Sequence, residues 1–124
     1  MVLVDTSVWV SHLRDGHEGL SALLDASEVM CHPFVIGELA CGNLINRTEI
    51  ISLLTALPRT SVATHDEVLA FIEARHLGGK GLGYVDISLL AAAIVTGVSL
   101  WTLDMRLNRA AVELNAAYGR GSVA

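Results

Sequence analysis

Aromatic side chains are scarce, two each of Trp, Tyr and Phe among 124 residues. A surface that stacks unpaired bases needs several of them in one sheet or groove, so that kind of nucleic-acid platform is excluded. Lysine occurs once, as Lys80, and the formal charge is −5, which at first sight argues against a polyanionic partner. Cysteine is limited to Cys31 and Cys41, ten positions apart and without a Cys-x-x-Cys pair. That spacing fits no zinc motif and favours buried, reduced thiols over a disulfide.

No apolar run reaches membrane-spanning length, because the longest, residues 87–101, includes Ser88, Thr96, Gly97 and Ser99. The opening Met-Val-Leu-Val meets Asp5 too soon to form the core of a secretion signal. The expectation is a cytoplasmic protein with no membrane association. Its 52% apolar composition predicts one domain over residues 1–124 with an aliphatic, Ala-rich core.

What the chain does have is carboxylates at the edges of apolar segments. Asp5 ends Val-Leu-Val, Glu38 follows Pro-Phe-Val-Ile-Gly, Asp86 follows Gly-Tyr-Val, and Asp104 ends Leu-Trp-Thr-Leu. A carboxylate that close to a core is costly unless it is paired or bound to a cation. Few bases stand beside them. Setting these four aside from the 13 acids leaves nine against eight Lys and Arg, so most of the excess charge is this set. Divalent cations would neutralise it, and net charge then says nothing about the partner.

Hydrophobic periodicity predicts strands over residues 2–4, 28–31, 60–64 and 98–102, with a weak fifth after Tyr118. Helices are predicted over 8–13, 18–26, 33–44, 49–57, 66–77, 84–96 and 105–116. Gly78, Gly79, Gly81 and Gly83 make a loop before the sixth helix. This alternation means an α/β fold, a central mainly parallel sheet of four to five short strands flanked by helices. Ligands bind beyond the carboxyl ends of such strands, where Asp5 and Asp104 fall. Asp86 lies in the first turn of its helix and Glu38 about a turn and a half into another, so both can face the same mouth.

Each acid has a plainer explanation by itself. Asp5 and Asp104 can cap helices, Asp86 can answer a helix dipole, and Glu38 can be solvated. All four together raise one another's pKa, and Mg²⁺ or Mn²⁺ relieves that repulsion. The conjunction favours a metal site and a hydrolase.

Four segments carry a family resemblance: Val-Leu-Val-Asp5-Thr-Ser-Val-Trp, Ile-Gly-Glu38-Leu, Val-Asp86-Ile-Ser-Leu-Leu-Ala-Ala-Ala and Trp-Thr-Leu-Asp104. In this order, over essentially the full length, the chain resembles the PIN-domain ribonucleases, and within them the VapC toxins of toxin–antitoxin pairs. The resemblance implies a PIN-like fold and an Mg²⁺- or Mn²⁺-dependent endoribonuclease that cuts RNA with a metal-activated water. Asp5, Glu38, Asp86 and Asp104 would be the catalytic and metal-binding quartet. Thr6 and Ser7 would orient Asp5, and Thr102 would support the site near Asp104. It further implies a VapB-type antitoxin over the groove and a homodimer.

Read from the residues alone, Lys80, Arg106 and Arg109 flank the acids and can hold RNA phosphates, with a solvated helix face as the alternative. Two other classes stay open: a metal-dependent phosphatase on small substrates, and a non-catalytic α/β binding protein. Gly78-Gly79-Lys80-Gly81 lacks the spacing of a P-loop, and the five histidines offer no i, i+4 pair for zinc.

Overall fold

Val2–Val4 is short, aliphatic and wholly buried, as suits a strand covered on both faces. It is the centre of the sheet. The structure is a computed structural model and describes residues 1–119. Its elements are β1 (Val2–Val4), α1 (Thr6–Asp15), α2 (Glu18–Asp25), β2 (Val29–Met30), α3 (Pro33–Ala40), α4 (Arg47–Ala56), α5 (His65–Ala74), α6 (Tyr84–Thr96), β3 (Ser99–Trp101) and α7 (Met105–Glu113).

The strands lie in the order β2-β1-β3, and both pairs are parallel. Single parallel bridges widen the sheet on each side, Cys31 with Arg59 and Leu100 with Ala117. The chain therefore steps outward from β1 on one side, then returns to β1 and steps outward on the other. The reversal falls between β1 and β3, which is the crevice where parallel sheets bind ligands.

The strand expected over residues 60–64 is reduced to that first bridge. Cys31 donates to the Pro58 carbonyl at 2.8 Å and Thr60 donates back to Cys31 at 3.1 Å. The ladder goes no further because its partner turns into α3 at Pro33, while Ser61 N–H goes to Thr96 Oγ1 and Thr64 N–H to Glu67 Oε1 in the capping box of α5. On the opposite flank Leu100 N–H reaches Ala116 and Tyr118 N–H reaches Leu100, so pairing comes before Tyr118. Most of the tail after it, residues 120–124, lies outside the described residues.

Helix ends differ for equally local reasons. Helix α3 stops at Ala40 rather than residue 44, because the Arg47 guanidinium takes the Ala40 and Gly42 carbonyls that its last turn leaves free. Helix α6 is buried continuously from Ile87 to Ala93 and ends at Gly97 with φ +78, the left-handed C-cap that glycine accepts without strain. The deepest side chains are aliphatic, among them Leu3, Leu20, Leu89, Leu90, Leu100 and Leu107. Cys31 is buried as expected, but Cys41 is exposed, and neither is in a disulfide. No helix among the described residues is long and apolar enough to cross a membrane.

Candidate active site

The register of β1 against β3 pairs Val4 with Trp101, and Asp5 N–H extends the ladder to the Trp101 carbonyl at 2.9 Å. Asp5 and Thr102 thus leave the two strands level with each other at the crevice. Asp5 is only 6% exposed. Its Oδ2 accepts from Thr102 Oγ1 at 2.7 Å and from Ser7 Oγ at 2.8 Å. Each hydroxyl is itself held by a backbone donor, Thr102 by Asp104 N–H at 3.0 Å and Ser7 by Leu103 N–H at 2.9 Å. With those N–H groups as donors, each hydroxyl proton is directed at the carboxylate. The two bonds fix the orientation of the carboxylate. Asp5 occupies the N-cap position of α1, yet its side chain makes no capping bond. The capping account of Asp5 fails.

Asp104 does cap its helix. Its Oδ1 accepts from Arg106 N–H at 2.9 Å and Leu107 N–H at 3.0 Å, while Oδ2 takes no hydrogen bond among the described residues. Asp86 reaches back from the third position of α6, where its Oδ2 accepts from Gly83 N–H at 3.1 Å. Burial pushes the Asp86 pKa up, and the negative charges of Asp5 and Asp104 push it the same way, against the lowering effect of the Gly83 bond. Charges felt at that level put these three acids in one field. Glu38 is exposed, and its Oε1 accepts from Thr6 Oγ1 at 2.6 Å, tying α3 to the start of α1. Thr6, expected to orient Asp5, serves Glu38 instead, because the first turn of α1 turns its hydroxyl away from the strand end.

Among the described residues, no three Asp, Glu, His or Cys side chains are gathered into a ready-made cage for a cation. The donor set nevertheless fits Mg²⁺ or Mn²⁺. All the candidate ligands are carboxylate oxygens, and Mg²⁺ keeps several waters while binding through one or two carboxylates. Asp5 offers a free Oδ1 beside a fixed Oδ2, and Asp104 a free Oδ2 beside a fixed Oδ1, with Asp86 destabilised by both.

Lys80, Arg106 and Arg109 converge as well, lining one cavity of about 290 Å³ with Leu82, Ala110 and Glu113. Glu113 Oε2 lies 3.7 Å from Lys80 Nζ. Sequence reasoning missed Glu113, although its spacing from Arg106 and Arg109 puts all three on one face of α7. It also missed His32, whose Nδ1 accepts from Phe34 N–H at 3.0 Å and so caps the helix that carries Glu38. Histidine is an uncommon cap, and nothing in the local pattern marked it.

An all-parallel α/β unit with an acidic mouth at its switch point defines the class. Residues 2–113 match the family described as PIN domain, and the chain belongs to that family. It is also 48% identical over 118 residues to proteins named Ribonuclease VapC32 from two strains of Mycobacterium tuberculosis, a match that covers 94% of this chain and 95% of each relative. That places it on the VapC side of the family.

Proposed function

We propose that the protein is an endoribonuclease toxin of the VapC type, dependent on Mg²⁺ or Mn²⁺ and neutralised by a VapB-type antitoxin. The carrying observation is Asp5, buried at the switch point, held by two hydroxyl donors and sharing one field with Asp86 and Asp104. These three hold the ion, and Glu38 stands at the rim on Thr6. When bound, the ion supplies Lewis acidity and an activated water for attack on a phosphodiester. The chain's own residues set the geometry. Ser7 and Thr102 fix the Asp5 carboxylate, and through Leu103 and Asp104 they lock the loop after β3 to the start of α1. Lys80, Arg106 and Arg109 draw the RNA strand toward an otherwise acidic mouth.

Glu38 also borders a cleft of about 640 Å³ whose walls include Val10, Leu13, Leu39, Ile45 and Ile50. Ile45 is 88% exposed there. An antitoxin segment with apolar side chains and an Arg for the acids suits such a surface. A homodimer would have exposed apolar side chains such as Val62, Leu69 and Val95 to cover. A cytoplasmic site of action suits an RNA substrate.

The test is incubation of the full chain with total RNA in Mg²⁺, Mn²⁺ or chelator, followed by mapping of the cut ends. Cleavage that leaves 5′ phosphates, needs metal and is absent in Asp5→Asn is expected. Intact RNA in both metals, or normal cutting by Asp5→Asn, overturns the reading.

A further inference from the structure

Three of the eight Lys and Arg residues of a chain with net charge −5 share one small cavity. Like charges do not gather on an otherwise acidic protein without an anion to answer them. One wall is α7, where Arg106, Arg109, Ala110 and Glu113 follow the i, i+3, i+4, i+7 row of a single helix face. The other wall is the glycine loop, carrying Lys80 and Leu82. Gly81 has φ +76, and a Cβ there would stand 2.7 Å from Arg106 Nη1, so the loop backbone lies directly against the guanidinium. The cations stay exposed to water, but Arg106 is held against the loop rather than free to swing.

We propose, resting on the ribonuclease reading, that Lys80, Arg106 and Arg109 form a seat for one RNA phosphate beside the scissile one, and that Glu113 occupies this seat as a stand-in until RNA arrives. Position supports the first half. Arg106 and Arg109 follow Asp104 by two and five residues, roughly 3 and 7.5 Å along the helix axis, so the seat begins at the acidic mouth and leads away from it. Three cations against one carboxylate leave a net positive site, and guanidinium forks match phosphate oxygens. A cavity of about 290 Å³ holds a phosphate and its sugar but no folded segment of a partner protein.

The second half rests on the Lys80–Glu113 pair. At 3.7 Å, with side chains 48% and 55% exposed, it is a loose surface ion pair that contributes little to stability. Exchange of the Glu113 carboxylate for a phosphate therefore costs little, while its charge repels the incoming phosphate and so acts as a brake on affinity. Its removal should have the opposite sign to removal of a cation.

The experiment measures binding of a short single-stranded RNA to the full chain carrying Asp5→Asn, so that nothing depends on cleavage. Glu113→Gln should tighten binding several-fold, and Arg109→Ala should weaken it about tenfold. Arg109→Ala should also lower the slope of log affinity against log salt by about 0.7, and Arg109→Lys should restore most of it. A series of RNAs with one neutral methylphosphonate each should show one linkage, next to the cut made by the wild type, whose neutralisation weakens binding to the parent but not to Arg109→Ala. Unchanged affinity in Glu113→Gln, or the same response to every linkage in Arg109→Ala, overturns the seat. If these shifts appear while the wild type cuts no RNA, the seat stands and the ribonuclease reading falls; cutting without the shifts gives the reverse.

Discussion

The two oxygens of Asp104 differ, one capping α7 and the other without a hydrogen bond among the described residues, and substitutions can separate capping from charge. Asp104→Asn keeps a cap of equal quality, so its stability without metal should stay within a few tenths of a kcal/mol of wild type. Asp104→Ala should lose about 1 kcal/mol by urea unfolding, since two helix N–H groups lose their acceptor. Both should lose RNA cleavage. Cleavage by Asp104→Asn at the wild-type rate would reduce Asp104 to a cap. His32 gives a pH prediction. Burial holds its pKa below the ordinary histidine value, so it is neutral in the fold, and Nδ1 can accept from Phe34 N–H. The unfolded chain takes up a proton there below about pH 6.5 while the folded one does not. Stability from this group is thus full above that pH and falls as acid is added. Asn also caps well, so His32→Asn should lose less stability than wild type between pH 7.5 and 5.5, whatever its absolute value. Parallel urea midpoints across that range would show that His32 is not the source of acid sensitivity.

At the scale of elements, the helices and the central strands were legible because apolar spacing reports burial, and burial is what the fold imposes on β1 and α6. The edges were not. Residues 60–64 read as a strand, but the donors of Ser61 and Thr64 are spent on Thr96 and Glu67, a choice made by neighbours remote from or just outside the segment. The acids were legible as a set, since each closes an apolar segment. Which hydroxyl serves which acid was not, because Thr6 and Ser7 are adjacent and only the helix start decides that Ser7 meets Asp5 and Thr6 meets Glu38. The glycines mark only a loop, whereas Gly81 is pinned against Arg106. Gly79 and Gly81 both have φ +76, but only at Gly81 does an added Cβ meet another side chain. Gly79→Ala should therefore lose about 1 kcal/mol for backbone strain alone. Gly81→Ala should lose more and also displace Arg106, seen as a lower melting temperature and a raised KM for RNA. Equal effects of the two substitutions would mean that the loop does not shape the cavity.

For the whole molecule, the acidic mouth works against stability until a cation enters, and that opposition can be read in a single variant. Asp86 carries the clearest sign of it, with burial and the charges of Asp5 and Asp104 all opposing its ionisation. The unfolded chain feels none of these, so at neutral pH the ionised Asp86 lowers the stability of the metal-free fold. Asn at this position keeps an oxygen for Gly83 N–H and removes the charge. Asp86→Asn should therefore melt at or slightly above the wild type in chelator, by less than about 1 kcal/mol because the group is half-exposed and screened by solvent. Mg²⁺ or Mn²⁺ should stabilise the wild type by about 1.4 kcal/mol per tenfold increase above the dissociation constant. For a domain of this size that is roughly 5 °C per decade of metal. The variant should show a much smaller rise, so the two melting curves cross as metal is added. The Asp5→Asn protein should share the blunted rise, because the substitution removes another charge of the same field. Identical melting of wild type in chelator and in millimolar metal would remove the metal from the mouth, and with it the reason for placing Asp5, Asp86 and Asp104 in one field.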